Sequence, residues 1–297
     1  MKTPVFTGSC TAIVTPFHNG VIDFDKMAEF IDFQYEGGTS ALVVCGTTGE
    51  SATQTIEEHE QLIDFSVKHN AGRMKIIAGI GSNDTNTAYE LAVAAKASGA
   101  DATLMVTPYY NKTSQRGLVQ HFTYVADRVD LPMILYNVPS RTAIGITAET
   151  YAILAKHPNI NGVKEAAGDF SLISRTIKLC GDDLNIWSGN DDNTLPMMAM
   201  GAKGVISVFT NILPRPMADL CKACLDGDFT TAREIHNKYS NLFHDLFIET
   251  NPIPVKTAMN LMGMDAGELR LPLWEMAPAN VEKLRASLLA VGANLVK

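Results

Sequence analysis

The amino-acid sequence predicts an α/β protein, a (β/α)8 TIM barrel with a C-terminal helical extension. Three observations lead to this prediction. Eight short apolar runs rich in β-branched residues recur along the chain, amphipathic segments separate them, and the last part of the chain is helical only. The 297 residues suffice for one barrel of about 250 residues with an addition. We therefore expect a barrel domain over residues 1–213, and its last helix and the extension over residues 214–297.

The eight apolar runs follow one another at intervals of roughly 20 to 35 residues, as in a chain of βα units. They do not alternate with polar residues, so both faces must be covered, as in a parallel sheet flanked by helices. An open doubly wound sheet is the alternative, but no GxGxxG follows the first run and no P-loop occurs. In chain order the runs are residues 11–16, 41–45, 75–80, 102–106, 133–137, 161–164, 185–189 and 204–208.

The segments between the runs are typical of amphipathic helices. Residues 25–38 and 87–99 place apolar side chains at helical spacing, and each segment ends on a glycine, the residue that most readily closes a helix. Beyond Pro214 the pattern is helical only. The helices expected there lie near residues 217–226, 229–248, 254–262 and 279–291.

Composition and charge narrow the classes of function. With 46% hydrophobic residues the chain can bury a large core, and with a net charge of -8 and no cluster of Lys and Arg it is not expected to bind nucleic acid. No apolar stretch approaches the ~18 residues that a membrane span needs. The five cysteines are scattered, and no spacing of Cys or His forms a metal site. We expect a cytoplasmic protein with reduced thiols, no membrane association, and no metal or cofactor.

In such a barrel the reactive groups lie at the C-terminal ends of the strands and in the loops that follow. After the second run, residues 46–53 read GTTGESAT, which places glycines and small hydroxyl residues before a helix. Two interpretations of this turn stay open. It either directs backbone N–H groups at an anion such as a carboxylate, or it is an ordinary capped turn.

Tyrosines and an arginine follow the fourth and fifth runs. Residues 107–112 read TPYYNK and contain two tyrosines, which either serve a site or line an interface. Residues 136–142 read YNVPSRT and place Tyr136 at the mouth of the barrel. After a turn stiffened by proline, Arg141 is either a solvated cation or a group that binds a carboxylate through two hydrogen bonds.

The sixth run supplies the most unusual residue. Residues 161–169 read NGVKEAAGD, and the period of two of a strand sends Lys164 into the barrel and the adjacent Glu165 to the opposite face. Lysine is almost never fully buried without a partner, and burial favours the neutral, nucleophilic amine. Such amines attack carbonyl carbons to form Schiff bases, with a tyrosine hydroxyl as one suitable proton carrier. From the residues alone, two hypotheses stay open: a Schiff-base enzyme, and a substrate-binding barrel without covalent chemistry.

Six motifs stand in order over nearly the whole chain: GTTGE (46–50), TPYYN (107–111), YNVPSRT (136–142), GVKEA (162–166), GVISV (204–208) and NPIPVK (251–256). Together they resemble the 4-hydroxy-tetrahydrodipicolinate synthase (dihydrodipicolinate synthase) family. The resemblance implies a class I aldolase-like lyase that condenses pyruvate with L-aspartate 4-semialdehyde in lysine and diaminopimelate biosynthesis, without a cofactor. The related N-acetylneuraminate lyases, or another pyruvate-dependent aldolase, are the enzyme alternative.

The resemblance also implies roles for single residues. Lys164 is expected to be the Schiff-base nucleophile, and Tyr136 to transfer protons together with Thr47 and Tyr110. In the family this second tyrosine reaches the site of the neighbouring subunit, so the resemblance implies a homo-oligomer, a dimer of dimers. The residues expected to bind substrate are Thr47 and Thr48 for the pyruvate carboxylate, Arg141 for the carboxylate of the aldehyde, and Gly189 and Ile206 as pocket lining.

A regulatory site for lysine, found at an interface in some members, is only partly present. Ile56 stands where lysine-sensitive members carry a histidine, and Thr87 where they carry a glutamate. A ligand with ammonium groups needs a carboxylate or several good acceptors to offset its desolvation. We therefore expect weak or absent inhibition by lysine. The residues that do match the pattern of the site are Ala52, His59, Asn83 and Tyr109.

Overall fold

Eight parallel strands close into a barrel in the computed structural model, which describes residues 1–296. Strands that follow one another in the chain are paired in the sheet. The first strand pairs with both the second and the eighth, so the sheet has no free edge. The strands are β1 (Gly8–Ala12), β2 (Ala41–Val44), β3 (Lys75–Gly79), β4 (Ala102–Val106), β5 (Met133–Asn137), β6 (Ile160–Glu165), β7 (Asn185–Ser188) and β8 (Gly204–Ser207).

All eight predicted strands and the barrel are confirmed, but the bounds of the first strand differ. The sequence pattern favours residues 11–16, whereas β1 begins at Gly8 and ends at Ala12. The later part of the run leaves the barrel, since Pro16 has no N–H to donate and the chain enters a short hairpin of Phe17–His18 with Val21–Ile22.

The helices cover the barrel from outside and bury an apolar layer between themselves and the strands. As predicted, the first and third helices end at glycines, Gly37 and Gly99. The barrel helices are α1 (Phe24–Glu36), α2 (Ile56–Asn70), α3 (Thr85–Ser98), α4 (Gln115–Ala126), α5 (Pro139–Thr142), α6 (Ala148–Leu154), α7 (Phe170–Cys180), α8 (Thr194–Ala199) and α9 (Pro214–Leu225).

Inside the barrel, alternate side chains of the strands form a second, smaller apolar cluster. Trp187 of β7 fills the N-terminal end of the barrel and stacks on Phe6, with ring centroids 5.0 Å apart. The indole N–H of Trp187 donates to the Phe6 carbonyl oxygen at 3.2 Å. The N-terminal end is therefore closed by packed rings, which leaves the C-terminal end for polar groups.

The predicted C-terminal helices are present as α10 (Phe229–Asp245), α11 (Ile253–Leu261) and α12 (Pro278–Ala290). α10 packs on α9 and α12, and α11 packs on α12. The chain between α10 and α11 returns to the mouth of the barrel, where its side chains help to line a cavity. Within residues 1–296, no helix is both long and apolar enough to span a membrane.

Candidate active site

Lys164 and Tyr136 are direct neighbours across the pair of strands β5 and β6. Both side chains point into the barrel, where Lys164 is 5% exposed and Tyr136 7% exposed. The Lys164 Nζ atom lies 4.4 Å from the centroid of the Tyr136 ring. The period of two of β6 therefore places the lysine as the sequence predicts, beside a phenol.

No carboxylate within residues 1–296 pairs with Lys164. Among residues 1–296 the lysines in ion pairs are others, namely Lys26, Lys68, Lys75, Lys222, Lys256 and Lys283. Since the cost of burying Lys164 is not offset by an ion pair, an ordinary structural role does not explain its position.

The neighbouring Glu165 points outward, as predicted, into a buried polar network between the strands and α6. Its carboxylate accepts from the Tyr151 hydroxyl at 2.7 Å, from Asn137 Nδ2 at 2.9 and 3.0 Å, and from the Ala167 N–H at 2.8 Å. Burial raises the pKa of Glu165, and it also raises that of Tyr151. Because Asn137 and Glu165 follow Tyr136 and Lys164 in their strands, this network fixes the strand pair from outside.

The turn after β2 brings Thr47 and Thr48 to the mouth of the barrel. Its flanking residues Cys45 and Glu50 have φ angles of 57° and 56°. Such left-handed conformations cost about 1–3 kcal/mol in non-glycine residues and are typical of functional sites. Within residues 1–296, the N–H groups of Thr47 and Thr48 donate to no backbone carbonyl. Within the described backbone, these two N–H groups are therefore not engaged by the turn itself.

Arg141 lies in the short helix α5, on the opposite side of the mouth. Its Nη2 donates to the carbonyl oxygen of Asn251 at 3.0 Å, and the side-chain amide of Asn251 donates to Thr48 Oγ1 at 3.0 Å. Asn251 thus connects the arginine to the turn after β2. Arg141, Asn251 and the turn after β2, all of a type suited to bind carboxylates or carbonyls, therefore lie around one opening.

These groups line one cavity of about 700 Å³. Gly189 lies close to the lysine, and a Cβ at this position would stand 3.2 Å from Lys164 Cγ and 2.7 Å from Ala166 Cβ, so only glycine fits. Among residues 1–296 no three His, Cys, Asp or Glu side chains converge as metal ligands. Of the residues predicted for the site, the cavity contains Thr47, Thr48, Tyr136, Arg141, Lys164 and Gly189.

Two predicted site residues lie elsewhere. Ile206 is fully buried in the barrel interior, paired with Cys10, and does not line the cavity. Tyr110 is 91% exposed, has a φ of 67° and does not line the cavity either. A role for Tyr110 within a single chain is therefore not supported, and its assignment depends on a neighbouring subunit.

A second cavity of about 450 Å³ adjoins the first and shares Thr47, Arg141 and Asn251 with it. Three of the four residues predicted for the lysine site line it, together with the two that depart from the family pattern; they are Ala52, Ile56, His59, Thr87 and Tyr109. Asn83 lines a neighbouring cavity instead.

Two polar side chains of this second cavity, those of Thr87 and His59, are already engaged. The Thr87 hydroxyl donates to Asp84 Oδ2 at 2.8 Å, as part of the cap of α3. His59 Nε2 is 2.7 Å from the Gly79 carbonyl oxygen, and burial lowers the pKa of this histidine. Neither side chain offers a charged acceptor to a ligand.

The C-terminal extension supplies a part of the site that the sequence did not predict. Residues 247–251 line the active-site cavity, and Asn251 connects two predicted binding groups. Asn251 stands in the NPIPVK motif, which marks the resemblance but indicates no chemistry of its own. A polar residue next to prolines, between two helical segments, was the available signal.

Comparison with known proteins gives consistent matches over nearly the whole chain. The family model described as "Dihydrodipicolinate synthetase family" matches residues 5–291. A relative from Aquifex aeolicus (strain VF5), named 4-hydroxy-tetrahydrodipicolinate synthase, is 52% identical over 282 residues, which are 95% of this chain and 96% of the relative. The crystal structure of dihydrodipicolinate synthase from Aquifex aeolicus matches with a TM-score of 0.96 and 50% identity, over 98% of this chain and 100% of that chain.

Two more distant solved structures contain small molecules. The dihydrodipicolinate synthase from Acinetobacter baumannii, complexed with pyruvate, has a TM-score of 0.95 at 42% identity and covers 97% of this chain and 100% of its own. The enzyme from Cyanidioschyzon merolae with lysine bound has a TM-score of 0.95 at 38% identity, over 98% and 100%. Since the family model spans nearly all of the sequence and relatives share half of its residues, the chain belongs to the dihydrodipicolinate synthetase family.

Proposed function

We propose that this protein is a 4-hydroxy-tetrahydrodipicolinate synthase, which condenses pyruvate with L-aspartate 4-semialdehyde in lysine and diaminopimelate biosynthesis. The observation that carries the proposal is the unpaired Lys164 beside Tyr136, beneath a cavity that also contains the turn of Thr47 and Thr48 and the side chain of Arg141. Membership of the family and the names of relatives at about 50% identity support it.

The first half of the reaction forms a covalent intermediate with pyruvate. The neutral amine of Lys164 adds to the ketone carbon, and loss of water gives an imine, which loses a methyl proton to become an enamine. Tyr136 carries protons in these steps, together with Thr47 and Tyr110. The free N–H groups of the Thr47 and Thr48 turn hold the pyruvate carboxylate.

The second half joins the two substrates. The enamine carbon attacks the aldehyde of aspartate semialdehyde, and the amino group of that substrate then displaces Lys164 and closes the six-membered ring. Arg141 binds the second carboxylate. Because both substrates carry a carboxylate and the protein has a net charge of -8, attraction for those carboxylates comes from these local groups and not from the overall field.

We also propose that the protein acts as a homo-oligomer, with a dimer of dimers as the expected state. Tyr110, Leu271 and Trp274 are 91%, 71% and 65% exposed, which leaves large apolar or aromatic side chains in water. Burial of Tyr110 against a second copy would bring its hydroxyl to the partner's cavity. The expected cytoplasmic location stays a prediction.

Trapping the intermediate tests the proposal. Borohydride reduction with pyruvate is expected to give one covalent adduct, on Lys164, detected by intact mass and peptide mapping. Lys164→Arg should abolish it, because a guanidinium stays protonated and cannot attack a carbonyl. Lys178→Arg, on an exposed position of α7, is the matched control and should retain the adduct. An adduct elsewhere, or none, would refute the Schiff-base mechanism and favour a binding barrel.

Removing the arginine separates the two substrates. Arg141→Ala should leave the pyruvate adduct largely intact but weaken turnover of aspartate semialdehyde by ~2 to 4 kcal/mol, the range for loss of a charged hydrogen-bond partner. Steady-state kinetics measure this effect, with Arg233→Ala on an exposed position of α10 as control. Unchanged kinetics for the aldehyde would contradict the assignment, and productive turnover of N-acetylmannosamine instead would favour a sialate lyase.

The role of Tyr110 predicts that activity depends on assembly. An interface variant that yields folded monomers should lose most activity although Lys164 and Tyr136 are retained. Tyr110→Phe should slow the reaction, since it deletes the hydroxyl and keeps the ring. Activity measured together with sedimentation gives the answer, and Tyr35→Phe, an exposed tyrosine of α1, is the control. Fully active monomers would count against the shared site.

Lysine should inhibit weakly or not at all. Thr87 offers a neutral hydroxyl that already donates to Asp84, and losing a charged hydrogen bond costs roughly 1.5 to 3 kcal/mol, or about one to two orders of magnitude in affinity. The measurement is the initial rate against L-lysine at fixed pyruvate, and Thr87→Glu should strengthen inhibition. A lysine concentration of ~1 mM corresponds to a binding free energy near -4.1 kcal/mol. If the wild type is half-inhibited well below that concentration, this interpretation is wrong.

A further inference from the structure

The turn that carries Thr47 and Thr48 has a strained backbone, which contacts from the surrounding structure must stabilise. Cys45 and Glu50, on its two sides, both have positive φ angles. Non-glycine residues keep this conformation only where surrounding contacts fix it. At Cys45, packing is enough to hold the conformation. The Cys45 carbonyl oxygen lies against Gly79 of β3, where a Cβ on residue 79 would collide with it. Glu50 needs contacts of its own.

Those contacts come from a buried ion pair with Lys256 of α11. The side chains of Lys256 and Glu50 are 1% and 0% exposed, and Lys256 Nζ donates to Glu50 Oε1 at 2.9 Å. The Arg270 N–H donates to the other carboxylate oxygen at 3.0 Å. Lys256 Nζ also donates to the carbonyl oxygens of Thr15 and Glu268 at 3.0 and 2.5 Å. All three ammonium protons therefore have an acceptor.

Lys256 reaches the turn by a second route as well. Thr15, whose carbonyl accepts from the lysine, donates its hydroxyl to the Gly49 carbonyl oxygen at 2.7 Å. Gln54 Nε2 donates to the same oxygen at 2.8 Å. The ammonium group is thus connected both to Glu50 and to the residue before it.

Stability alone does not account for an ion pair at this place. Removing two charges from water costs about as much free energy as their attraction returns, so apolar residues of similar volume stabilise a core equally well. Desolvation lowers the pKa of Lys256, which reflects this cost. Apolar residues, however, cannot fix the direction of a strained residue through hydrogen bonds.

We infer that Glu50 and Lys256 are positioning residues for the carboxylate of the keto-acid substrate. Their ion pair fixes Glu50, and with it the direction of the Thr47 and Thr48 N–H groups, before the substrate binds. Neither charged side chain lines the active-site cavity, so both act through the turn and do not touch the substrate. The inference rests on the proposed function, in which this turn binds pyruvate.

The test compares Glu50→Gln, Lys256→Met and the double variant with the wild type. In each folded variant the KM for pyruvate should rise about tenfold or more, while the KM for aspartate semialdehyde and the kcat at saturating pyruvate change less than about threefold, since carboxylate binding is lost and the reacting groups remain. Lys283→Met is the matched control. It removes an ion pair with Asp245 elsewhere in the extension and should change neither KM.

A variant with lowered thermal stability but an unchanged KM for pyruvate would overturn the inference, as would an equal rise in both KM values. A wild type that forms no pyruvate adduct would contradict the proposed function instead. If no variant folds, the inference is tested by amide hydrogen exchange of the wild type with and without pyruvate. Pyruvate should slow exchange of the Arg270 N–H, because an occupied turn immobilises its acceptor Glu50. Unchanged exchange would reject the inference.

Discussion

The parallel register of β5 and β6 is the constraint on which the site depends. It sets Tyr136 opposite Lys164 inside the barrel and Asn137 opposite Glu165 outside it. A shift of one residue would exchange the two faces and bring the carboxylate inside in place of the amine. The closed barrel and the outer hydrogen bonds of Glu165 both oppose such a shift.

This arrangement separates charges that would otherwise neutralise one another. The interior offers the lysine a neutral ring at 4.4 Å, and the nearest carboxylate in sequence is bound on the other side of the sheet. At the mouth, the groups proposed to attract anions are Arg141 and the N–H groups of Thr47 and Thr48, which donate to no backbone carbonyl in the described part of the chain. Contacts outside the cavity therefore fix the strands that carry Lys164 and Tyr136, whereas Asn251 holds Arg141 and Thr48 at its mouth.

Local patterns predicted the barrel and the inward, buried position of Lys164. The eight runs and their spacing are properties of short segments, and the inward direction of Lys164 follows from counting along one strand. The roles of Thr47, Thr48 and Arg141 came from a resemblance, because an exposed arginine or a glycine turn has more than one use. The roles of Asn251 and Lys256 could not be predicted. They depend on how α11 and the segment before it pack against the Thr47 and Thr48 turn, which lies some 200 residues earlier in the chain.

Residues 247–251 form one wall of the cavity, yet the ribosome adds them only after all eight strands of the barrel. Lys164 leaves the ribosome 87 residues before Asn251, an interval of roughly 4 to 17 s at about 5–20 residues per second. During that time a nascent chain carries the amine of Lys164 and the phenol of Tyr136 without one wall of the cavity above them. A product that stops before residue 247 keeps the nucleophile but lacks that wall. The order of synthesis therefore delays a complete cavity until the segment after α10 has been made.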